Sequence, residues 1–275
     1  MTAIVLLPLL ALLVATPAVA SPPTLLLLID ASPSMAGEVA TSPAGVGWWR
    51  TLLVHAYGLD PAPVAARDKL GVVRAALGRY VAHLPAETVV GVRVFGQRRW
   101  QGCEDSQLLL APAPLERARF AAVLARLQPS AAGKTPLAYG LKEAARDLLT
   151  LPPGGDHHII LITDATDRCT DALPEGGALT GETGVSATID VITLGLDPAA
   201  AAPLGATPTP TGGHLYPATD ATTVEIALRR CLPVTPRQQI AAALRLHPGG
   251  WPMAIAALVL LLLALVAWVE VRSER

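Results

Sequence analysis

The chain has 275 residues, of which 52% are hydrophobic and 16% are charged, and its formal net charge is −1 at pH 7. It has neither the basic surplus typical of nucleic-acid binding nor an acidic tail typical of a disordered solvating segment. Both ends are apolar, and the roughly 210 to 225 residues between them suffice for one mid-sized domain or at most two small ones.

The first twenty residues are predicted to be a signal peptide. Their apolar centre is followed by Ala18-Val19-Ala20, a small-x-small pattern typical of cleavage sites. No Lys or Arg precedes Ser21, so the positive n-region is missing and an uncleaved anchor is the alternative. Pro8 and the shortness of the apolar stretch count against such an anchor.

Strand-like and helix-like runs alternate through the middle of the chain. Apolar, β-branched runs predict strands at residues 24–29, 88–96, 107–112, 157–163, 186–196 and 213–218. Apolar residues at helical spacing predict helices at residues 67–84, 115–127, 136–149 and 221–230. This alternation predicts an α/β, Rossmann-like, doubly wound and mostly parallel sheet covered by helices. Because no helix separates the second and third strands, one antiparallel edge strand is expected.

Residues 36–66 interrupt this rhythm between the first strand and the first helix, where loops of about 2 to 6 residues are usual. This insertion carries Trp48, Trp49 and Tyr57 beside the edge where the first strand ends. Exposed aromatic side chains would form a recognition surface for a partner. The alternative, that they pack down as a cover beneath a long loop, stays open.

Residues 251–269 are uncharged, and Trp251 and Trp268 stand where interfacial aromatic residues belong, which predicts a transmembrane helix. Residues 233–250 form a Pro-flanked linker before it, and residues 270–275 form a short tail after it. Arginines flank the helix in nearly equal number on both sides, so the orientation depends on the signal peptide. This reading places the domain in the periplasm or outside the cell and the tail in the cytoplasm.

Candidate metal ligands follow two strands and precede one helix. Asp30, Ser32 and Ser34 follow the first strand, Asp164 follows the strand at 157–163, and Thr135 lies in "AAGKTPL" before a helix. Side chains at alternate positions of an extended segment share a face, and functional groups gather at the carboxyl ends of parallel strands. Two carboxylates and three hydroxyls favour a hard divalent cation, above all Mg²⁺, with Mn²⁺ or Ca²⁺ possible. Because hydroxyls are weak ligands, such a cation keeps an open position for an external oxygen.

Four segments together resemble the von Willebrand factor type A domain and its metal-ion-dependent adhesion site: "LLLLIDASPSM", "GKTPLAYGLKEAARDLL", "HHIILITDATDRC" and "TGGHLYPATD". The resemblance covers about residues 24–231 and implies a domain at residues 24–232. It implies that Ser32 and Ser34 are direct ligands and that Thr135 is direct in the ligand-competent state. Asp30 and Asp164 would act largely through water, and a carboxylate of a protein partner would fill the sixth position.

Two departures and three cysteines qualify the resemblance. Pro33 stands at a position where glycine is usual, and Ala165 stands where "TDG" is common, so the local loop geometry is in question. A bacterial branch of the family carries a cysteine in each of two corresponding loops, which implies a disulfide between Cys103 and Cys169. Two free thiols are the alternative, and Cys231 is left over.

The functional expectation is a membrane-anchored, extracytoplasmic domain that binds an acidic protein partner through a divalent cation. The alternatives are an accessory or assembly subunit of a membrane complex, a relative of the calcium-activated chloride channel proteins, and a metal-dependent hydrolase. No enzymatic activity is predicted, because no Ser-His-Asp order or activated cysteine is evident. No nucleotide is expected either, because Gln128 occupies the first glycine position of a phosphate-binding loop.

Overall fold

The computed structural model describes residues 22–39, 68–98, 102–153, 155–170, 181 and 184–232. The predicted signal peptide, linker, transmembrane helix and tail lie outside these residues. So do most of the insertion and its three aromatic residues, Trp48, Trp49 and Tyr57. Within the described ranges, no helix has the length and apolar character needed to cross a membrane.

Six strands form one sheet in the described part of the chain. They are β1 (Thr24–Asp30), β2 (Val89–Phe95), β3 (Ser106–Pro114), β4 (His157–Thr163), β5 (Thr188–Leu194) and β6 (Leu215–Ala218). Their order across the sheet is β3-β2-β1-β4-β5-β6. The edge strand β3 is antiparallel to β2, and every other neighbouring pair is parallel. The predicted mostly parallel sheet with one antiparallel edge strand is confirmed.

Four longer helices cover the sheet: α1 (Lys69–Ala82), α2 (Arg117–Arg126), α3 (Leu137–Leu148) and α4 (Ala221–Cys231). All four lie within the helical runs that the sequence predicts, or differ from them by one residue at an end. A short helix at Pro198–Ala201 and 3-10 turns at Ala202–Ala206 and Thr209–Thr211 were not predicted. This stretch is rich in Pro, Ala and Thr and has no apolar periodicity, which is why the pattern missed it.

The central strand β1 is buried along its whole length, which explains its unbroken aliphatic sequence. Leu25, Leu27 and Ile29 pack into the cluster that contains α1, α2 and α4. Leu26 and Leu28 pack on the opposite face, in the cluster that contains α3. Each leucine buried in this way stabilises the fold by about 2 kcal/mol. The strand is therefore apolar on both faces from Leu25 to Ile29, and its last residue is Asp30.

The last helix, α4, starts at the carboxyl edge of the sheet and returns to the amino edge. Its start is fixed by a capping box, in which Asp220 Oδ1 accepts from the Thr223 amide and the Thr223 hydroxyl oxygen accepts from the Asp220 amide, both at 2.9 Å. At its other end Cys231 is buried near Asp190, close to the start of β5, and burial, together with the negative charge of Asp190, raises the pKa of the Cys231 thiol. Because β1 also begins at the amino edge, both ends of the described domain lie opposite Asp30.

Candidate metal centre

Asp30 ends β1 beside the end of β4. Parallel pairing puts Ile29 opposite Ile162, so Asp30 and Thr163 are neighbours at the carboxyl edge. Asp30 is fully buried; its Oδ1 accepts from the Ser32 amide at 2.8 Å and its Oδ2 accepts from the Thr163 hydroxyl at 2.6 Å. Both oxygens of this carboxylate therefore hold the loops that begin at the ends of β1 and β4.

The electrostatic state of Asp30 reflects its burial. Desolvation is the main cause that raises the pKa of Asp30 to about 6, and the hydrogen bonds from Thr163 and Ser32 oppose it. The negative charge of Asp164 raises the pKa of Asp30 further. Two carboxylates held close together in a buried place are stabilised by a positive charge between or beside them.

Ser32 and Ser34 connect Asp30 to Asp164. The Ser32 and Ser34 hydroxyl oxygens are 3.0 Å apart, and the Ser34 hydroxyl donates to Asp164 Oδ1 at 2.7 Å. The alternating pattern predicted an extended backbone through Ser34. This prediction is wrong beyond Ser32, because Pro33–Ala36 form a 3-10 turn. Proline at the first position of this turn has the φ that a helical turn needs, so the chain curls there. The hydroxyl oxygens converge all the same.

The loop that carries Thr135 packs close to the end of β1, where the Ser130 amide donates to the Ala31 carbonyl at 2.8 Å. A Cβ atom on Gly96, whose φ is +73°, would lie 2.8 Å from the Lys134 carbonyl oxygen and 3.1 Å from Ser32 Cβ. Only glycine therefore permits this approach of the loop to the end of β1. The carbonyl of Thr135, a buried residue, accepts from the Arg168 amide at 3.1 Å. The loop is thus joined to the segments that follow both β1 and β4.

Asp167 holds the start of α3 from the loop after β4. The residue before α3, Pro136, supplies no side-chain cap, and Asp167 Oδ2 instead accepts from the Ala138 amide at 2.6 Å. Asp167 Oδ1 accepts from the amides of Cys169 at 2.5 Å and Thr170 at 3.0 Å. One carboxylate therefore fixes two loops of the site. Asp167 was not among the predicted site residues, although its place in "TDATDRC", two residues before a loop cysteine, is typical of an Asx turn.

A disulfide joins Cys103, in the loop between β2 and β3, to Cys169, in the loop after β4, with their Cα atoms 5.6 Å apart. The predicted pairing is confirmed. Cys231 is a free, buried cysteine, and burial raises the pKa of its thiol well above its usual range. The disulfide therefore ties a third loop to the edge where Asp164 lies.

We expect Asp167→Ala to weaken binding of Mn²⁺ and to lower the free energy of unfolding by about 1 kcal/mol, because a helix loses its cap and the Thr135 loop loses its anchor. Isothermal titration and thermal unfolding measure the two effects. Asp220→Ala is the matched control, since it removes the cap of α4 and should cost similar stability without changing Mn²⁺ affinity. Equal Mn²⁺ affinities in the two variants would contradict the role given to Asp167.

Lys69, the first residue of α1, also reaches the site. Its Nζ donates to Asp164 Oδ2 at 2.5 Å. Its backbone amide donates to the Gly37 carbonyl at 3.0 Å, and an isolated antiparallel bridge pairs Glu38 with Asp68. These contacts bring together the two ends of the insertion. No sequence pattern could have assigned Lys69 to the site, because its partner lies 95 positions away.

The donor set fits a hard divalent cation. Four of the five candidate residues, Asp30, Ser32, Ser34 and Asp164, belong to one connected hydrogen-bonded group, and the loop of Thr135 lies against it. All their side-chain donors are oxygen atoms, the ligands that Mg²⁺, Mn²⁺ and Ca²⁺ prefer. In the described part of the chain no three His, Cys, Asp or Glu side chains gather in one place, so a cation here depends on hydroxyl ligands.

Comparison with known proteins identifies the class of fold. No protein-family model and no curated protein matches the chain. Among solved structures, the conserved hypothetical protein BatB from Bacteroides thetaiotaomicron is 14% identical, with a TM-score of 0.53 over 75% of this chain and 95% of that chain. The SpRpn10 VWA domain is 13% identical, with a TM-score of 0.50 over 79% and 97% of the two chains. The pilus adhesin SpaC from Lactobacillus rhamnosus GG is 15% identical, with a TM-score of 0.51 over 77% of this chain and 30% of that chain.

These similarities give the described domain a von Willebrand factor type A-like fold. At such low identity they concern the fold alone, and fold does not fix function. The chemistry of this domain lies at the oxygen-lined edge that holds Asp30, Ser34 and Asp164.

Proposed function

We propose that this chain binds a protein partner through a divalent cation, above all Mg²⁺, held at the carboxyl edge of its sheet. The ligands would be Asp30, Ser32, Ser34, Thr135 and Asp164, and a carboxylate of the partner would complete the coordination. The observation that carries the proposal is the connected group of carboxylates and hydroxyls, which joins Ser34 to Asp164 across 130 positions of sequence. Such convergence at the end of a buried strand is typical of a binding site.

The charges of the site explain why an acidic partner is proposed. Two carboxylates just balance a divalent cation, and the hydroxyl ligands withdraw little of its charge. When bound, the cation would supply a strong positive charge that attracts an external carboxylate. The chain's own residues would orient the cation: Asp30 holds the loops after β1 and β4, and Asp167 holds the loop of Thr135.

The proposed setting is extracytoplasmic and membrane-anchored. Its support is the sequence, which predicts a signal peptide at 1–20, a linker at 233–250, a transmembrane helix at 251–269 and a tail at 270–275. Residues 36–66, with Trp48, Trp49 and Tyr57, are proposed to choose the partner beside the cation. The meeting of Gly37 with Lys69 at the base of this insertion supports that placement. The proposal assigns no catalytic activity to the chain.

The test is capture of the partner by the full-length chain from its own membrane and envelope fraction. We expect capture in Mg²⁺, loss of capture in EDTA, and competition by free glutarate, a soluble dicarboxylate that should occupy the open coordination position. Thr135→Val keeps the shape of the side chain but removes its hydroxyl, and it should abolish capture. Quantitative mass spectrometry of the captured proteins provides the readout.

Thr193→Val is the matched control. Thr193 lies near the carboxyl end of β5, at the same edge of the sheet, and its buried hydroxyl has no hydrogen-bond partner among the described residues. It should capture the partner as the wild type does. Capture that persists in EDTA and in Thr135→Val would contradict a cation-mediated contact and would favour assembly with membrane partners instead. Turnover of ester or peptide substrates with Mg²⁺ or Mn²⁺ alone would favour a hydrolase.

A further inference from the structure

The ion pair between Lys69 and Asp164 places a positive charge inside the candidate metal centre. The Asp164 side chain is fully buried, whereas 20% of the Lys69 side chain is exposed. Asp164 divides its two oxygens, since Oδ1 accepts from the Ser34 hydroxyl and Oδ2 accepts from the Lys69 ammonium. The ammonium and the hydroxyl ligands are therefore joined through a single carboxylate.

The position of Lys69 is fixed by its surroundings. Its amide is bound by the Gly37 carbonyl, and the preceding residue, Asp68, caps α1 by accepting from the Gly71 amide at 2.6 Å. A Cβ atom at Gly37 or at Gly195 would lie 3.9 Å from Lys69 Cε, so the end of the Lys69 side chain passes close to both glycines. The Lys69 side chain is therefore held in position beside Asp164, unlike a lysine side chain that moves freely in solvent.

The charge of Lys69 has opposite effects on the metal-free and the metal-bound protein. Without a cation, the ammonium compensates the two buried carboxylates, Asp30 and Asp164, and stabilises the fold. With a divalent cation beside the same carboxylate, two positive charges lie close together and repel each other. Partial exposure of Lys69 to water weakens this repulsion but does not remove it.

We infer that Lys69 is a tethered cation that sets the affinity of the centre by holding one positive charge on Asp164. This inference rests on the proposed function, since it requires that a divalent cation binds at Asp30, Ser32 and Ser34. Lys69 lowers the affinity for that cation and stabilises the protein when the cation is absent. The cation therefore binds only at concentrations high enough to overcome repulsion by the Lys69 ammonium.

The experiment is titration of the full-length chain with Mn²⁺ alone, followed by calorimetry, and thermal unfolding in EDTA. Lys69→Met should bind Mn²⁺ about tenfold more tightly than wild type, because a like charge near the cation has been removed. The same variant should unfold at a lower temperature in EDTA. Lys69→Arg keeps the charge and should stay near wild type in both measurements. If Lys69→Met does not fold, Lys69→Gln replaces it, since its amide can still donate to Asp164.

Lys134→Met is the matched control for net charge at this edge. The Lys134 ammonium lies 3.7 Å from Cys103 Sγ, in the loop next to Thr135, and its removal should leave the Mn²⁺ affinity almost unchanged. An equal gain in Lys134→Met would overturn the inference, because the effect would then come from net charge. Unchanged or weaker Mn²⁺ binding in Lys69→Met would overturn it as well.

The outcomes separate this inference from the proposed function. Binding of Mn²⁺ by wild type with no gain in Lys69→Met removes only the role of Lys69. If neither the wild type nor any variant binds Mn²⁺, both proposals are wrong, because no cation then enters the centre. If Lys69→Met binds Mn²⁺ and the wild type does not, both proposals are supported, since the Lys69 ammonium would then exclude the ion at the concentrations used.

Discussion

Asp30→Asn is expected to lower the affinity of the chain for Mn²⁺ by about 100-fold, a loss typical of removing a residue that orients or balances a bound metal. The variant removes one of the two carboxylates that would balance the proposed cation. Calorimetric titration of the full-length chain measures the loss. Among the single substitutions for which a change in Mn²⁺ affinity is predicted, this one should have the largest effect.

The fold should survive this change for a specific electrostatic reason. Burial raises the pKa of Asp30 to about 6, so the buried environment disfavours the ionised form that the amide replaces. The asparagine carbonyl can still accept from the Ser32 amide, and its amide can donate to the Thr163 hydroxyl oxygen. The melting temperature in EDTA should therefore be equal to or above that of wild type at pH 7.

The matched control for this prediction is Asp190→Asn. Asp190 is also a buried aspartate, but it lies on β5 and accepts from the His214 amide at 2.9 Å, away from the carboxyl edge. Its replacement should leave Mn²⁺ binding unchanged. Retention of wild-type affinity in Asp30→Asn would mean that the cation does not bind at the end of β1.

Replacing both Cys103 and Cys169 with Ser is expected to give the largest loss of stability. The cross-link spans 66 positions, and in the chain-entropy model closure of such a loop stabilises the fold by about 4 kcal/mol. For a domain of this size the melting temperature should fall by about 10 °C. Circular dichroism during heating of the oxidised full-length chain measures the difference.

The same double variant should also bind Mn²⁺ more weakly. Cys169 follows Arg168, whose amide donates to the Thr135 carbonyl, so freedom of this loop loosens the position of Thr135. Cys231→Ala is the control, because it removes a buried thiol that forms no cross-link. A melting temperature of the double variant within about 2 °C of that of the oxidised wild type would contradict a stabilising role for the disulfide.

The sheet and its helices could be predicted from the sequence because burial leaves a local pattern. β1 is apolar on both faces, and α1 and α3 repeat their apolar residues at helical spacing, so the type of each element follows from neighbours in the chain. The short turns within residues 198–211 leave no such pattern. They form where a Pro-rich segment packs against the rest of the fold, a contact that no local rule contains.

The convergence of Asp30, Ser32, Ser34 and Asp164 could be predicted because polar residues at the end of a buried strand are unusual and indicate a functional edge. Asp30 and Asp164 end or follow strands with aliphatic centres, and the alternation of Ser32 and Ser34 is visible in the sequence. The residues that position these side chains have no comparable pattern in the sequence. Thr163 and Lys69 have ordinary sequence contexts, and their roles come from partners 133 and 95 positions away.

The return of α4 to the amino edge of the sheet determines how the domain presents its oxygen-lined edge. The described chain enters at Thr24 and leaves at Leu232 on the same edge, whereas Asp30 lies on the opposite one. If the domain is attached to a surface or a neighbouring domain through Thr24 or Leu232, its carboxyl edge, with Asp30, faces away from the point of attachment. Immobilisation through the termini should therefore leave this edge accessible in any surface-based assay.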